Sequence, residues 1–194
     1  MKKIILASQS PRRKQLLEWA EVPFEVIVKE TDESFPPALP VEEVAMHIAR
    51  QKAIAVQQDV NHSAIILAAD TLVVLNAKIM GKPGNREEAI LFLEELSGQK
   101  HIVITGVCIL DNGNEIVFAD STDVEFHKLS KDQIIFYVDK YKPFDKAGAY
   151  AIQEWIGVVG IKSVKGDFYN VMGLPVSRVI KELNKMDNNK DVDQ

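Results

Sequence analysis

The chain has 194 residues, 46% of them hydrophobic and 26% charged, with a formal net charge of −5. That composition suits a soluble domain with a substantial core, and the negative balance argues against broad binding to nucleic acid or anionic membrane. A single cysteine, Cys108, excludes an intramolecular disulfide, and no apolar run reaches the roughly 18 to 20 residues that span a bilayer. The opening residues lack the pattern of a signal peptide, so the expected compartment is the cytoplasm.

In chain order, "KIILA" predicts a strand, a helix begins near Ser10 with Pro11 at its first position, and "FEVIV" predicts a second strand. Between the first strand and the helix lies "LASQSPRRKQLL". A helix N-terminus is already electropositive, yet Arg12, Arg13 and Lys14 add cations there. With Ser8 and Ser10 they form either a capped, solvated basic helix start or a cradle for phosphate oxygens. It is not a Walker A loop, because the glycines and the Lys-Ser/Thr pair are absent.

The loop "ETDESFPPALP" holds three prolines and the acids Glu30, Asp32 and Glu33, which disfavours regular structure. "VEEVAMHIARQKAIAVQQ" predicts a helix with Val44, Ile48 and Ala55 on its apolar face and with Arg50 and Lys52 along its length. "AIILAADTLVVL" predicts a central strand interrupted by Asp70 and Thr71. A carboxylate there is costly unless it is paired, metal-bound or exposed at the strand's end. Any of Glu30, Asp32 and Glu33 would complete with it an oxygen-ligand site for Mg²⁺ or Mn²⁺ that also uses substrate phosphates.

After "MGKPGN", whose Lys82 joins Lys52 as a candidate to neutralise phosphate, a helix is signalled by Asn85 as N-cap, Glu88 three residues later, and Gly98 as the stop. "HIVITGVCILD" and "EIVFADSTDVEFH" predict an antiparallel hairpin through "NGN", which makes the sheet mixed. Cys108 falls in this hairpin, where a buried structural thiol is expected rather than a nucleophile. Ser130 caps "KDQIIFYVDKY", "GVVGIK" predicts a short strand, and "LPVSRVIKELNKM" predicts a closing helix. One domain over 1–185 is expected, with a frayed, flexible tail over 186–194. "DKAGAYAIQ", Asp145 to Gln153, offers close backbone approach, an aromatic ring and an amide able to read a polar edge, or else tight packing. His47, His62, His101 and His127 show no metal-ligand spacing, so zinc is not expected.

Taken in order, "LASQSPRR", "AADTLVV", "GKP", "SGQKHIVITGV", "DKAGAYAIQ" and "GDFYNVMGLPV" closely resemble the Maf family of nucleoside triphosphate pyrophosphatases, from about Lys3 to Leu183. The resemblance implies an α/β fold, similar to the inosine-triphosphate pyrophosphatases, with a bent mixed β-sheet flanked by helices and two lobes around a cleft. It implies hydrolysis of a nucleoside triphosphate to the monophosphate and pyrophosphate. By the family pattern Ser8, Ser10 and Arg13 bind phosphate, Asp70 is the proton acceptor, and Glu33, Lys52 and Lys82 are the other charged site positions. Arg13, Thr71 and Gln153 match the substrate-selecting positions of the branch acting on dTTP and UTP, not those of the branch preferring 7-methyl-GTP.

The mechanism expected from these residues has Asp70 and Glu33 holding a divalent metal, Mg or Mn, while Arg13, Lys52 and Lys82 hold the triphosphate. The nucleotide is the expected partner, a homodimer is compatible, and neither stable nucleic-acid binding nor a membrane is expected. Two alternatives stand beside this reading: a regulatory protein of cell division or septum formation that acts by binding, and a house-cleaning pyrophosphatase for inosine or xanthosine triphosphate.

Overall fold

A computed structural model describes residues 2–60 and 64–188, the last two through their backbone alone. His62 and residues 189–194, most of the expected tail, lie outside the described residues. The first elements are β1 (Ile4–Leu6), α1 (Pro11–Trp19), β2 (Phe24–Val26), α2 (Val41–Gln57), β3 (Ile65–Leu75), β4 (Lys78–Met80) and α3 (Arg86–Leu96). They continue with β5 (Lys100–Asp111), β6 (Asn114–Phe126), α4 (Lys131–Tyr141), a 3₁₀ turn (Ala147–Ala149), α5 (Trp155–Gly160), β7 (Ile161–Lys165), α6 (Phe168–Met172) and α7 (Val176–Asn188). The sheet has seven strands in the order β2-β1-β3-β5-β6-β7, with β4 paired to β3 off this path. It is mixed and accompanied by helices, as expected.

The chain divides into two compact units, the first comprising Met1–Asp70, Thr105–Asp120 and Gly173–Gln194. Here β1 lies parallel to both β2 and β3, with Ile5 opposite Glu25 on one side and Ile66 on the other. All three residues of β1 are buried, which is why the opening run is uniformly apolar. Ile5, Ala7, Ile66, Ala68, Cys108 and Leu110 form one core cluster with Ala49, Ala53 and Val56 of α2. A fully buried aliphatic side chain of this kind contributes roughly 1.5 to 3 kcal/mol. The buried stripe of α2 is Val44, Ala45, Ile48, Ala49, Ala53 and Val56. Ala55, expected on that face, is only half-buried, because the sheet is met by the neighbouring row of the helix. Gly106 of β5 lets α2 approach closely, since a Cβ there would overlap the backbone of Ala45. The β5–β6 hairpin turns on Asn112 and Gly113, with φ of 46° and 94°, as the Asn-Gly signal predicts.

The second unit comprises Thr71–Ile104 and Ser121–Met172. Asn85 caps α3 by accepting the Glu88 N–H at 2.9 Å. The Glu88 carboxylate instead accepts from Gly84 N–H at 2.6 Å, so the box closes one residue upstream of the cap. Ser130 and Gln133 form the complete reciprocal box at the start of α4. The expected strand "GVVGIK" is corrected: Gly157 to Gly160 belong to α5, and β7 starts at Ile161. A short apolar run does not distinguish strand from helix. Here Gly157 and Val158 donate their N–H groups to the Glu154 carbonyl at 2.9 and 3.4 Å, which turns the run into a helix before it reaches the sheet.

Candidate active site

In the first unit, β1 ends in the turn carrying Ser8 and Ser10, and Pro11 opens α1. Ser10 makes no side-chain cap. The buried Ser8 hydroxyl oxygen instead accepts from Ser10 N–H at 3.2 Å and from Arg13 Nη1 at 3.0 Å. Arg13 Nε donates to the Gly173 carbonyl at 2.8 Å. Arg13 is only 8% exposed, which removes the solvated reading for this cation. Burial lowers its guanidinium to about 10, opposed by the negative charge of Asp70, reinforced by Arg12 and opposed again by Glu33. At neutral pH it is therefore a buried positive charge in the field of two carboxylates.

Those carboxylates converge on one ammonium. Lys52 Nζ stands 2.6 Å from Asp70 Oδ1 and 2.7 Å from Glu33 Oε1. The Lys52 and Asp70 side chains are 16% and 14% exposed, so the pair is mostly withdrawn from water. β3 brings Asp70 out of a run of buried residues, α2 offers Lys52 beside its buried stripe, and the irregular acidic loop supplies Glu33. Of the three loop acids only Glu33 shares this lysine among the described contacts. Asp32 accepts from Ser34 N–H at 3.0 Å and from its hydroxyl at 2.8 Å, and Glu30 is exposed. An ion pair withdrawn from water in this way gains little net stability, since desolvation offsets attraction.

No group of three or more His, Cys, Asp or Glu side chains that could hold a metal is found among the described residues. Glu33 and Asp70 are nonetheless two hard oxygen donors already drawn to one cationic point. That fits an ion such as Mg²⁺, which takes one or two carboxylates and fills the rest of its shell with water and substrate phosphate.

Thr71, Lys82 and Gln153 belong to the second unit. Thr71 is half-buried on β3, whereas Lys82 and Gln153 are exposed on loops. Gly148, at φ +66°, donates its N–H to the Gly81 carbonyl at 3.0 Å, and a Cβ there would meet the Val73 side chain at 2.9 Å. The loops bearing Lys82 and Gln153 are thus stitched together against β3, and only glycine fits at the stitch. Each unit also holds residues to which sequence reasoning gives no individual role. Tyr137 and Glu154, with Lys146, hold the segment around Gln153, and Gly173 holds Arg13. Gly173 lies in a quoted motif, while Tyr137 lies in the helix capped by Ser130, where no role is read for it.

Cys108 is buried in β5 with its thiol pushed up to about 12, chiefly by burial, as expected of a structural thiol. Among the described residues no helix is long and apolar enough to cross a membrane.

The sequence model of the family described as "Maf-like protein" matches residues 3–186. The dTTP/UTP pyrophosphatase of Cytophaga hutchinsonii is 52% identical, covering 95% of this chain and 84% of that protein. The dTTP/UTP pyrophosphatase of Parabacteroides distasonis is 47% identical, covering 93% and 94%. That of Bacillus cereus is 44% identical, covering 96% and 97%. Among solved structures, that of the Staphylococcus aureus Ham1 protein is similar at a TM-score of 0.44 and 19% identity, over 81% of this chain and 91% of that one.

Proposed function

The chain belongs to the Maf-like protein family, and we propose that it is a nucleoside triphosphate pyrophosphatase acting on dTTP and UTP. Water attacks the α-phosphorus, the bond from that phosphorus to the bridging oxygen breaks, and the nucleoside monophosphate and pyrophosphate leave. The observation that carries this reading is the convergence of Asp70 and Glu33 on Lys52, in the same unit as the buried Arg13 and Ser8.

Asp70 orients the attacking water and takes its proton, the role that suits a carboxylate on a rigid strand. Glu33 and Asp70 would hold a divalent metal, Mg or Mn, which when bound spreads the negative charge of the phosphate oxygens. Lys52 neutralises the two carboxylates in the free enzyme, and its charge is available to phosphate once they have another cation. Ser8, Ser10 and Arg13 form the phosphate-binding turn, and Lys82 adds an exposed cation. Thr71 and Gln153 select the base. The Gln153 amide offers both a donor and an acceptor, which is what the edge of uracil or thymine requires. Nucleotide is the partner the site is built for, and a net charge of −5 leaves no general attraction for nucleic acid.

Hydrolysis of UTP in ¹⁸O-labelled water tests the bond assignment. Label recovered in UMP, with pyrophosphate unlabelled, is the expected result. Label in the pyrophosphate, or UDP and orthophosphate as products, would refute attack at the α-phosphorus, and a pure binding module would release no product.

A further inference from the structure

The turn that carries Gln153 is held at both ends by one buried hydroxyl. Glu154 N–H donates to the Ala151 carbonyl at 3.1 Å and closes a turn with Ile152 and Gln153 at its centre. Ile152 is buried and Gln153 exposed, so one central side chain anchors the turn and the other is presented. Tyr137 of α4, 0% exposed, donates its hydroxyl hydrogen to Glu154 Oε2 at 2.5 Å, and the Tyr137 hydroxyl oxygen accepts from Ala151 N–H at 3.2 Å. Hydrogen bonds from a hydroxyl to an ionised carboxylate are the short, strong kind. The Tyr137 ring is fixed by stacking on Tyr141, with centroids 5.0 Å apart and planes at 23°. Lys146, itself 10% exposed, sets its ammonium 3.6 Å from Glu154 Oε1. On the far side the Glu154 carbonyl receives the first N–H groups of α5, and a Cβ on Gly157 would run into the Ile152 carbonyl.

A glutamine amide discriminates poorly when it is free to turn. Its oxygen and its NH₂ group exchange places on a half rotation, so a loosely held amide satisfies the edge of cytosine as readily as that of uracil. A fixed backbone does not stop that rotation, but it sets the place and direction from which the amide meets the base, and so how well each sense of the amide is tested against it. The geometry points to Tyr137 as a positioning residue for base selection: its hydroxyl, bridging Ala151 and Glu154, sets the turn that aims the Gln153 amide. This rests on the reading in which Gln153 recognises the pyrimidine.

The test is the ratio of kcat/KM for UTP to that for CTP, measured on one sample of each variant. The fraction of folded enzyme cancels in this ratio, so a merely structural defect does not move it. Tyr137→Phe keeps the ring and removes the bridge, and should lower the ratio roughly three- to tenfold, the scale of one displaced hydrogen bond. The double variant with Gln153→Ala should lower it no further than Gln153→Ala alone. Glu154→Gln retains an acceptor for the hydroxyl and should hold the ratio within about twofold of wild type, whereas Glu154→Ala should behave as Tyr137→Phe. If Tyr137→Phe does not fold, Glu154→Ala measures the same bridge. An unchanged ratio in both variants, with Gln153→Ala still lowering it, overturns the positioning role and leaves the base reading standing. An unchanged ratio in Gln153→Ala overturns both.

Discussion

Arg13 spends its guanidinium on Ser8 and on the Gly173 carbonyl, so it serves the fold as well as any phosphate. Arg13→Ala should therefore lower stability by roughly 1 to 3 kcal/mol, the cost of leaving buried partners unsatisfied, besides raising KM for the triphosphate. Arg13→Lys should restore charge but not the forked geometry, and so recover only part of both. A melting temperature equal to wild type in Arg13→Ala would contradict the structural half of this account. Asp70→Asn keeps size and removes the proposed base, and kcat/KM should fall on the order of 10²-fold or more. Activity within about threefold of wild type would remove Asp70 from the chemistry. His101 offers a separate test in the second unit. Its Nε2 pairs with the Tyr150 hydroxyl at 2.7 Å, its Nδ1 is buried with no hydrogen-bond partner among the described residues, and burial lowers it to about 4. The folded value lies below the unfolded one near 6.5, so this stability is complete above about pH 6.5 and is lost as pH falls through about 4. The full loss is on the order of 3 kcal/mol. His101→Gln should flatten that limb of the urea-midpoint profile, and an identical limb would assign the acid sensitivity elsewhere.

At the level of elements, α2 carries Lys52 of the proposed site, and its closeness to the sheet rests on Gly106. Gly106→Ala would force a Cβ into the Ala45 backbone and shift the helix that carries Lys52. Stability should fall by about 1 to 3 kcal/mol, the usual cost of overpacking, and activity measured on folded protein should fall with it. Full activity at reduced stability would show that Lys52 tolerates movement of α2. The elements also show what a sequence discloses. β1, α1, α3, the β5–β6 hairpin and α4 carry local signals, and each forms where its signal lies: the apolar opening run, Pro11, Asn85, Asn112-Gly113 and Ser130. α6 lies within the quoted motif "GDFYNVMGLPV", from which no helix is predicted. It is tied down by Asn170, which donates to the Val103 carbonyl at 3.1 Å and to Thr122 Oγ1 at 3.0 Å, both far away in the chain. α5 differs from the expected strand because a short apolar run looks alike in either state. The same division holds for the site. Asp70 was conspicuous as an acid in an apolar strand, but the burial of Arg13 depends on Gly173, 160 residues away, and no local pattern encodes that.

For the whole molecule, a chain of net charge −5 must bind a substrate that is itself strongly anionic. In the proposed site that affinity comes from Arg13, Lys52, Lys82 and a divalent metal, not from the overall field. A non-hydrolysable dTTP analogue with Mn²⁺ at about 100 times its Kd should stabilise the protein by roughly 2.7 kcal/mol. Glu33→Gln should lose the metal-dependent part of that gain, and an undiminished gain would take Glu33 out of metal binding. The most direct test of the central claim is kcat/KM for pyrophosphate release across UTP, dTTP, CTP, GTP, 7-methyl-GTP and ITP, with Mg²⁺ and with Mn²⁺. UTP and dTTP should give the two highest values, because a pocket discriminates one methyl group by only about 1 to 3 kcal/mol while the purines and cytosine present a different size or edge. Highest values for GTP, 7-methyl-GTP or ITP, or no pyrophosphate from any nucleotide, would contradict it.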